Sequence, residues 1–159
     1  MTATRRSVVA SSCPRASSSI PEPIVRQIVE AGRLTASAGN GQPWHFIVVR
    51  DKESLRRLGQ LARTGPYIPQ APLAIIVAMD HSPLAVSDGS RAIQDMILAA
   101  WSQGVCSNWV GYNNLPEVNP LLGIPEEVSV LAIHLFGYPA EAIGKGQKKR
   151  KASGRGCLL

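Results

Sequence analysis

One domain of interleaved helices and strands is what this sequence predicts, and three observations carry the prediction. Short runs rich in β-branched and aliphatic residues stand at 45–50, 73–79 and 129–136, long enough for strands and short for buried helices. Between them lie segments whose apolar residues recur every three or four positions, the spacing of an amphipathic helix. No repeat or linker divides the 159 residues, a length that suits a single core.

In chain order, Pro21 and Pro23 open a helix whose Ile24, Val25, Ile28 and Val29 share one face as far as Leu34. The loop "SAGNGQPW" (37–44) follows. "HFIVVR" (45–50) is apolar on both faces, as in a central strand. Asp51 is placed to cap a second helix carrying Leu55, Leu58, Leu61 and Ala62. After the turn-rich "TGPYIPQAP" comes a buried strand, "LAIIVAM" (73–79). Asp88 is positioned to cap the longest helix, about 89–103, with Ile93, Met96, Ile97, Ala100 and Trp101 inward and Gly104 at its end. "CSNWVGYNN" (106–114) reads as a polar-aromatic loop. A short helix near 117–122 stops at Gly123, and "SVLAIHLF" (129–136) is the third strand. The expected order is α-β-α-β-α-α-β, with three convincing strands.

Charge excludes one class of partner. Six of the 17 basic residues (Lys145, Lys148, Lys149, Arg150, Lys151 and Arg155) follow Glu141, the last of the 11 acidic ones, so the body is neutral. It carries no basic stripe with interleaved aromatics, and a nucleic-acid partner is not expected. No apolar stretch reaches the roughly 18 residues of a membrane span. Cys13, Cys106 and Cys157 are odd in number and far apart, which suggests neither a disulfide framework nor a zinc site and suits a reducing cytoplasm. In "TATRRSVVASSCPRASSS" the apolar part, 8–10, is too short for a secretory signal, so the segment reads as mature chain.

Hydrolytic chemistry finds no support: GxSxG and HExxH are absent, and no residues are spaced as three zinc ligands. Dinucleotide and P-loop fingerprints are missing too; the Gly-Lys of "GKGQKK" lacks the Ser or Thr that should follow. His45 and His134 sit in apolar strands and read as core residues. What remains are neutral polar groups and terminal arginines. Ser37, Asn40 and Gln42 offer donors and acceptors without charge. Arg5, Arg6 and Ser7 offer two forked cations and a hydroxyl, equipment for a phosphate. The set suits a phosphorylated, flat, polar-edged cofactor such as flavin mononucleotide (FMN). Asn40 and Gly41 alone would equally form a tight turn.

Five segments in order resemble the nitroreductase family of FMN-dependent oxidoreductases: "RRS" (5–7), "EAGRLTASAGNGQPWHFIVVRD" (30–51), "YIPQAPLAIIVAMD" (67–80), "DGSRAIQDMILAAWSQGVCSNWVGY" (88–112) and "LLGIPEEVSVLAIHLFGYPAE" (121–141). The resemblance implies an α+β fold, a three-layer α/β/α sandwich with a mainly antiparallel central sheet, in a homodimer with FMN at the subunit interface. It makes the whole chain one FMN-binding domain, with residues 1–19 a divergent arm and 142–159 a basic tail. Arg5, Arg6 and Ser7 would meet phosphate and ribityl, with Arg150 the tail cation that completes the phosphate site, or Lys148 or Lys149 in its place. Ser37, Asn40 and Gln42 would reach flavin and ribityl, usually across the dimer. Ser107, Asn108 and Trp109 would border the flavin, while Trp44 is expected to anchor the core.

The implied activity is hydride transfer from NADH or NADPH through FMN to a small acceptor such as a nitroaromatic or quinone. It needs no catalytic acid, base or nucleophile from the protein. A flavin-binding module with little turnover, or a specialised flavin enzyme of the same fold, is the alternative. Two departures from the family pattern stand out. Ala36 replaces a usual Pro before Ser37, and "VVASSCPRASSS" spaces Arg6 far from the first helix, which makes Arg15 and Ser17 rival phosphate contacts. Asp95 stands where the family often has Asn, and a solvated, capping or contact role is open to it.

Overall fold

The computed structural model describes residues 18–62, 64–110, 115 and 117–139. Within them the elements are α1 (Glu22–Arg33), a 3-10 turn (Ala38–Asn40), β1 (Trp44–Val49), α2 (Lys52–Leu61), β2 (Leu73–Met79), α3 (Ala85–Ser102), β3 (Cys106–Val110), α4 (Val118–Leu122) and β4 (Ser129–Gly137). A second 3-10 turn, Ile68–Gln70, leads into β2.

The strands form one sheet in the order β1-β2-β4-β3, and every pairing is antiparallel. β2 lies inside the sheet and is buried along its whole length, which is why it reads as an uninterrupted apolar run. Its pleat sends alternate side chains to two cores. Leu73, Ile75, Val77 and Met79 join α1 and α3 on one face, with Ile28, Ile93, Met96 and Phe136. Ala74, Ile76 and Ala78 join α2 and α4 on the other, with Leu55, Leu58, Val118 and Leu135. Helices on both faces of an antiparallel sheet make the expected three-layer sandwich.

Local chemistry sets the helix boundaries. Asp51 accepts a hydrogen bond from the Ser54 N–H at 2.8 Å, the predicted cap of α2. That bond holds the Asp51 carboxyl below its ordinary pKa. Gly104, with φ +71°, takes the left-handed position just past α3. Helices α1 and α3 approach closely at Gly32, where a Cβ would lie 2.9 Å from Met96 Cγ.

Four expectations are corrected. β1 is an edge strand of the described sheet, not a central one. Its apolar residues divide between the two cores, Trp44 and Phe46 on one face and Ile47 and Val49 on the other, while His45 and Val48 stand exposed, and the sequence run alone does not distinguish this from a strand flanked on both sides. Residues 106–110 are not loop but β3, a strand that pairs with β4 through its backbone although three of its five side chains are polar or aromatic. Helix α3 starts at Ala85, so Asp88 lies within its first turn instead of capping it, and Leu84 holds the cap position. Trp101 points outward and is 56% exposed. The buried stripe of α3 runs through Asp88, Gly89, Ala92, Ile93, Met96 and Ala100, and one residue beyond Ala100 turns about 100° away from it.

Candidate functional site

The loop between α1 and β1 carries three of the predicted site residues. Ala38–Gln42 are exposed and Ser37 is half-buried, while Pro43 and Trp44 beneath them are buried. Trp44 is the anchor expected, stacked beside Phe46 with ring centroids 6.3 Å apart. The backbone above it is unusual. Gly39 (φ +57°), Asn40 (+56°) and Gln42 (+47°) all occupy the left-handed region. Glycine adopts it freely, whereas Asn and Gln do so at a cost.

Hydrogen bonds hold this shape. The Gln42 N–H donates to Ser37 Oγ at 2.9 Å, closing the loop on itself. The Ala38 N–H donates to Asp88 Oδ2 at 3.1 Å, tying the loop to α3. At its root Thr35 Oγ1 donates to Asp95 Oδ2 at 2.6 Å. At its exit the Asp80 N–H donates to the Pro43 carbonyl at 2.8 Å. Nothing in the linear sequence joins residue 38 to 88 or 35 to 95, so neither tie is readable from it; Asp95 serves as the acceptor for Thr35 within the chain. Beside the loop exit, His45 Nε2 and Asp80 Oδ1 stand 2.8 Å apart, both about half exposed. His45 is therefore not the core residue expected. The strand's outer face at an edge leaves it open.

His134 is the core residue expected. It is buried on β4, and neither ring nitrogen has a hydrogen-bond partner among the described residues. Desolvation pushes its pKa down to about 3, so it is neutral throughout the physiological range.

Ser107, Asn108 and Trp109 lie on β3, at the opposite edge of the sheet from β1. The pleat divides them. Trp109 faces the α1 and α3 layer with Ser107, and Asn108 turns to the other face with Val110. Three strand spacings, roughly 14 Å, separate the two edges. Trp109 also pairs with His134, five residues along β4 from the Ser129 that pairs with Met79 beside the loop end of β1. One chain thus brings Ser37, Asn40 and Gln42 together but does not bring the β3 group to them. Arg5, Arg6, Ser7 and Arg150, with their rivals Arg15, Ser17, Lys148 and Lys149, lie outside the described residues.

Several cavities open among the described residues. One of about 670 Å³ lies under α4, but Asn119 in its wall already donates to the Pro125 and Val128 carbonyls and is structural. Another, of about 390 Å³, opens at the start of α3 beside Asp80, His81, Ser82 and Val86. Among the described residues no group of three His, Cys, Asp or Glu is placed to hold a metal, and no helix is long and apolar enough to cross a membrane. The arrangement that stands out chemically among the described residues is the loop: neutral amides on a backbone tied in place by hydrogen bonds, with donors and acceptors open to an uncharged polar partner.

Known proteins resemble this chain over most of its length. A protein of Archaeoglobus fulgidus, provisionally named an NADH dehydrogenase/NAD(P)H nitroreductase, is 37% identical over 127 residues, covering 74% of this chain and 73% of its own. An NADH dehydrogenase of Thermus thermophilus is 29% identical over 161 residues, covering 77% and 78%. The solved structure of an FMN-dependent nitroreductase from Clostridium difficile R20291 superimposes with a TM-score of 0.84 at 25% identity, covering 94% of this chain and 93% of that one. The family model for the nitroreductase family matches residues 5–82 and 68–138. This chain belongs to the nitroreductase family.

Proposed function

We propose that the chain is an FMN-dependent oxidoreductase that takes hydride from NADH or NADPH and reduces a small acceptor such as a nitroaromatic or quinone. The observation that carries the reading is the loop of Ser37, Asn40 and Gln42: uncharged, exposed and left-handed at Asn40 and Gln42, and tied to α3. The relatives' names, an NAD(P)H nitroreductase and an FMN-dependent nitroreductase, point the same way.

When bound, FMN supplies the redox chemistry, accepting hydride from the nicotinamide and passing electrons to the acceptor. The chain's own work is to bind and orient. Asn40 and Gln42 present amide donors and acceptors, which hold a neutral heterocycle without adding charge beside it. Ser37 Oγ already accepts the Gln42 N–H, so its hydroxyl hydrogen is the part left to donate outward. Arg5, Arg6, Ser7 and Arg150 are assigned to the phosphate on charge and motif.

We further propose a cytoplasmic homodimer. The separation of the loop from Ser107 and Trp109 within one chain is what supports two copies, since both groups can line one flavin only if the second comes from a partner. Leu98 and Trp101, exposed on α3, supply apolar surface for that contact.

The reading is tested by adding FMN to flavin-free protein and following the melting temperature. A ligand specific for the native state raises it. A rise with FMN, and none with riboflavin at equal concentration, is expected if the phosphate contributes to binding. No rise with FMN would refute the assignment.

A further inference from the structure

The carboxylate of Asp88 is buried, its side chain only 4% exposed, in the first turn of α3. A buried carboxylate is costly unless hydrogen-bonded or paired. Its position suggests a helix cap, but the helix begins earlier, at Ala85, and the Asp88 N–H already donates to the Leu84 carbonyl at 2.9 Å. The side chain is spent elsewhere. Oδ2 accepts the Ala38 N–H, fifty residues away in sequence, at 3.1 Å. Oδ1 lies 3.6 Å from the Arg91 guanidinium one turn further on, which offsets its charge.

The loop it grips needs a grip. Left-handed backbone at residues with a Cβ persists only where the surroundings over-determine it, and Asn40 and Gln42 are two such residues within three positions. The Ser37–Gln42 bond closes the loop on itself without fixing it to anything. Thr35–Asp95 and Pro43–Asp80 tie down its two ends. Of these hydrogen bonds, Ala38–Asp88 alone joins the exposed turn to the helix layer.

We propose that Asp88 is the positioning residue of the flavin loop: by holding the Ala38 amide it fixes where the side chains of Ser37, Asn40 and Gln42 stand. This rests on the flavin reading and deepens it. Asp88 touches no cofactor in this account; it acts through the loop.

The test uses the full chain and the variants Asp88→Ala, Asp88→Asn and Ala38→Pro. Asp88→Asn keeps an oxygen acceptor of the same shape and serves as the rescue. Ala38→Pro deletes the donor without touching α3, so it carries the test should Asp88→Ala fail to fold. The extended backbone of Ser37 (φ −123°, ψ 161°) is what a following proline demands.

Two readouts are taken: hydrogen exchange of the Ala38 amide in flavin-free protein, and the Kd for FMN by fluorescence quenching. Loss of a hydrogen bond to a charged group predicts FMN binding weakened about ten-fold or more in Asp88→Ala and Ala38→Pro. The Ala38 amide should be protected in the wild type and Asp88→Asn, and exchange freely in Asp88→Ala. FMN affinity of Asp88→Asn should stay within about three-fold of wild type, since a neutral acceptor remains. An Ala38 amide that exchanges freely in the wild type, or undiminished FMN affinity in both disruptive variants, overturns the proposal. A wild-type chain that binds no FMN would instead sink the flavin reading, and exchange at Ala38 would still decide whether Asp88 holds the loop.

Discussion

Trp109 stands edge-on to His134 across the β3–β4 pair, ring centroids 5.9 Å apart, and Phe136 tilts against the same imidazole at 5.0 Å. Two aromatic rings therefore pack against a histidine that has no polar partner among the described residues. Its consequence is acid lability with a definite sign. Well above pH 6.5 the imidazole is neutral whether the chain is folded or not, and it contributes nothing to pH dependence. Below 6.5 the unfolded chain takes a proton that the native state refuses down to about pH 3, so stability falls as pH falls. The loss is on the order of 4 kcal/mol at pH 3. His134→Phe should flatten this limb of the stability curve between pH 6.5 and 3, read by urea denaturation at fixed pH. An unchanged slope would show that other groups set it.

Asn40 combines a left-handed backbone with an outward amide, and two substitutions separate these roles. Asn40→Gly keeps the conformation and removes the amide; Asn40→Ala removes the amide and adds strain of about 1 kcal/mol. Flavin retention through a desalting column should drop in both. Melting temperature should drop in the alanine variant only. Full retention in both would mean that Asn40 does not face the flavin.

Arg5 is assigned to the phosphate, where its attraction is partly screened by salt. Arg5→Ala should raise the Kd for FMN most at low ionic strength, with the gap to wild type narrowing as salt is added. An Asn40→Ala gap that stays level across the same salt series is the control. Equal salt dependence in wild type and Arg5→Ala would remove Arg5 from the site.

The outward face of α3 carries Leu98 and Trp101, 58% and 56% exposed in the single chain. If a second copy covers them, Leu98→Glu buries a charge without a partner and should shift the chain from dimer to monomer in sedimentation. Flavin should be lost with the dimer. A variant that remains dimeric would place the contact elsewhere.

How much was legible in advance follows from which interactions are local. Asp51, whose cap bond spans three residues, and the unbroken apolar run at 73–79 were readable because the pattern that makes each element lies within it. β3 was not, since "CSNWV" owes its extended form to hydrogen bonds with 133–137 and not to its own composition. Helical spacing puts Trp101 inward, but a one-residue difference in phase exchanges core for solvent. The candidate loop was legible as a set of neutral polar side chains beside Trp44. Its clamp was not, because Ala38 meets Asp88 only once α1 and α3 have packed.

Flavin-dependent hydride transfer is tested by the visible absorption of the protein as purified, followed by anaerobic addition of NADH or NADPH. The protein should be yellow, with a flavin band that bleaches on addition and returns when a quinone or nitroaromatic is supplied. A colourless protein that takes up no FMN, or a yellow one that neither nicotinamide bleaches, would contradict it.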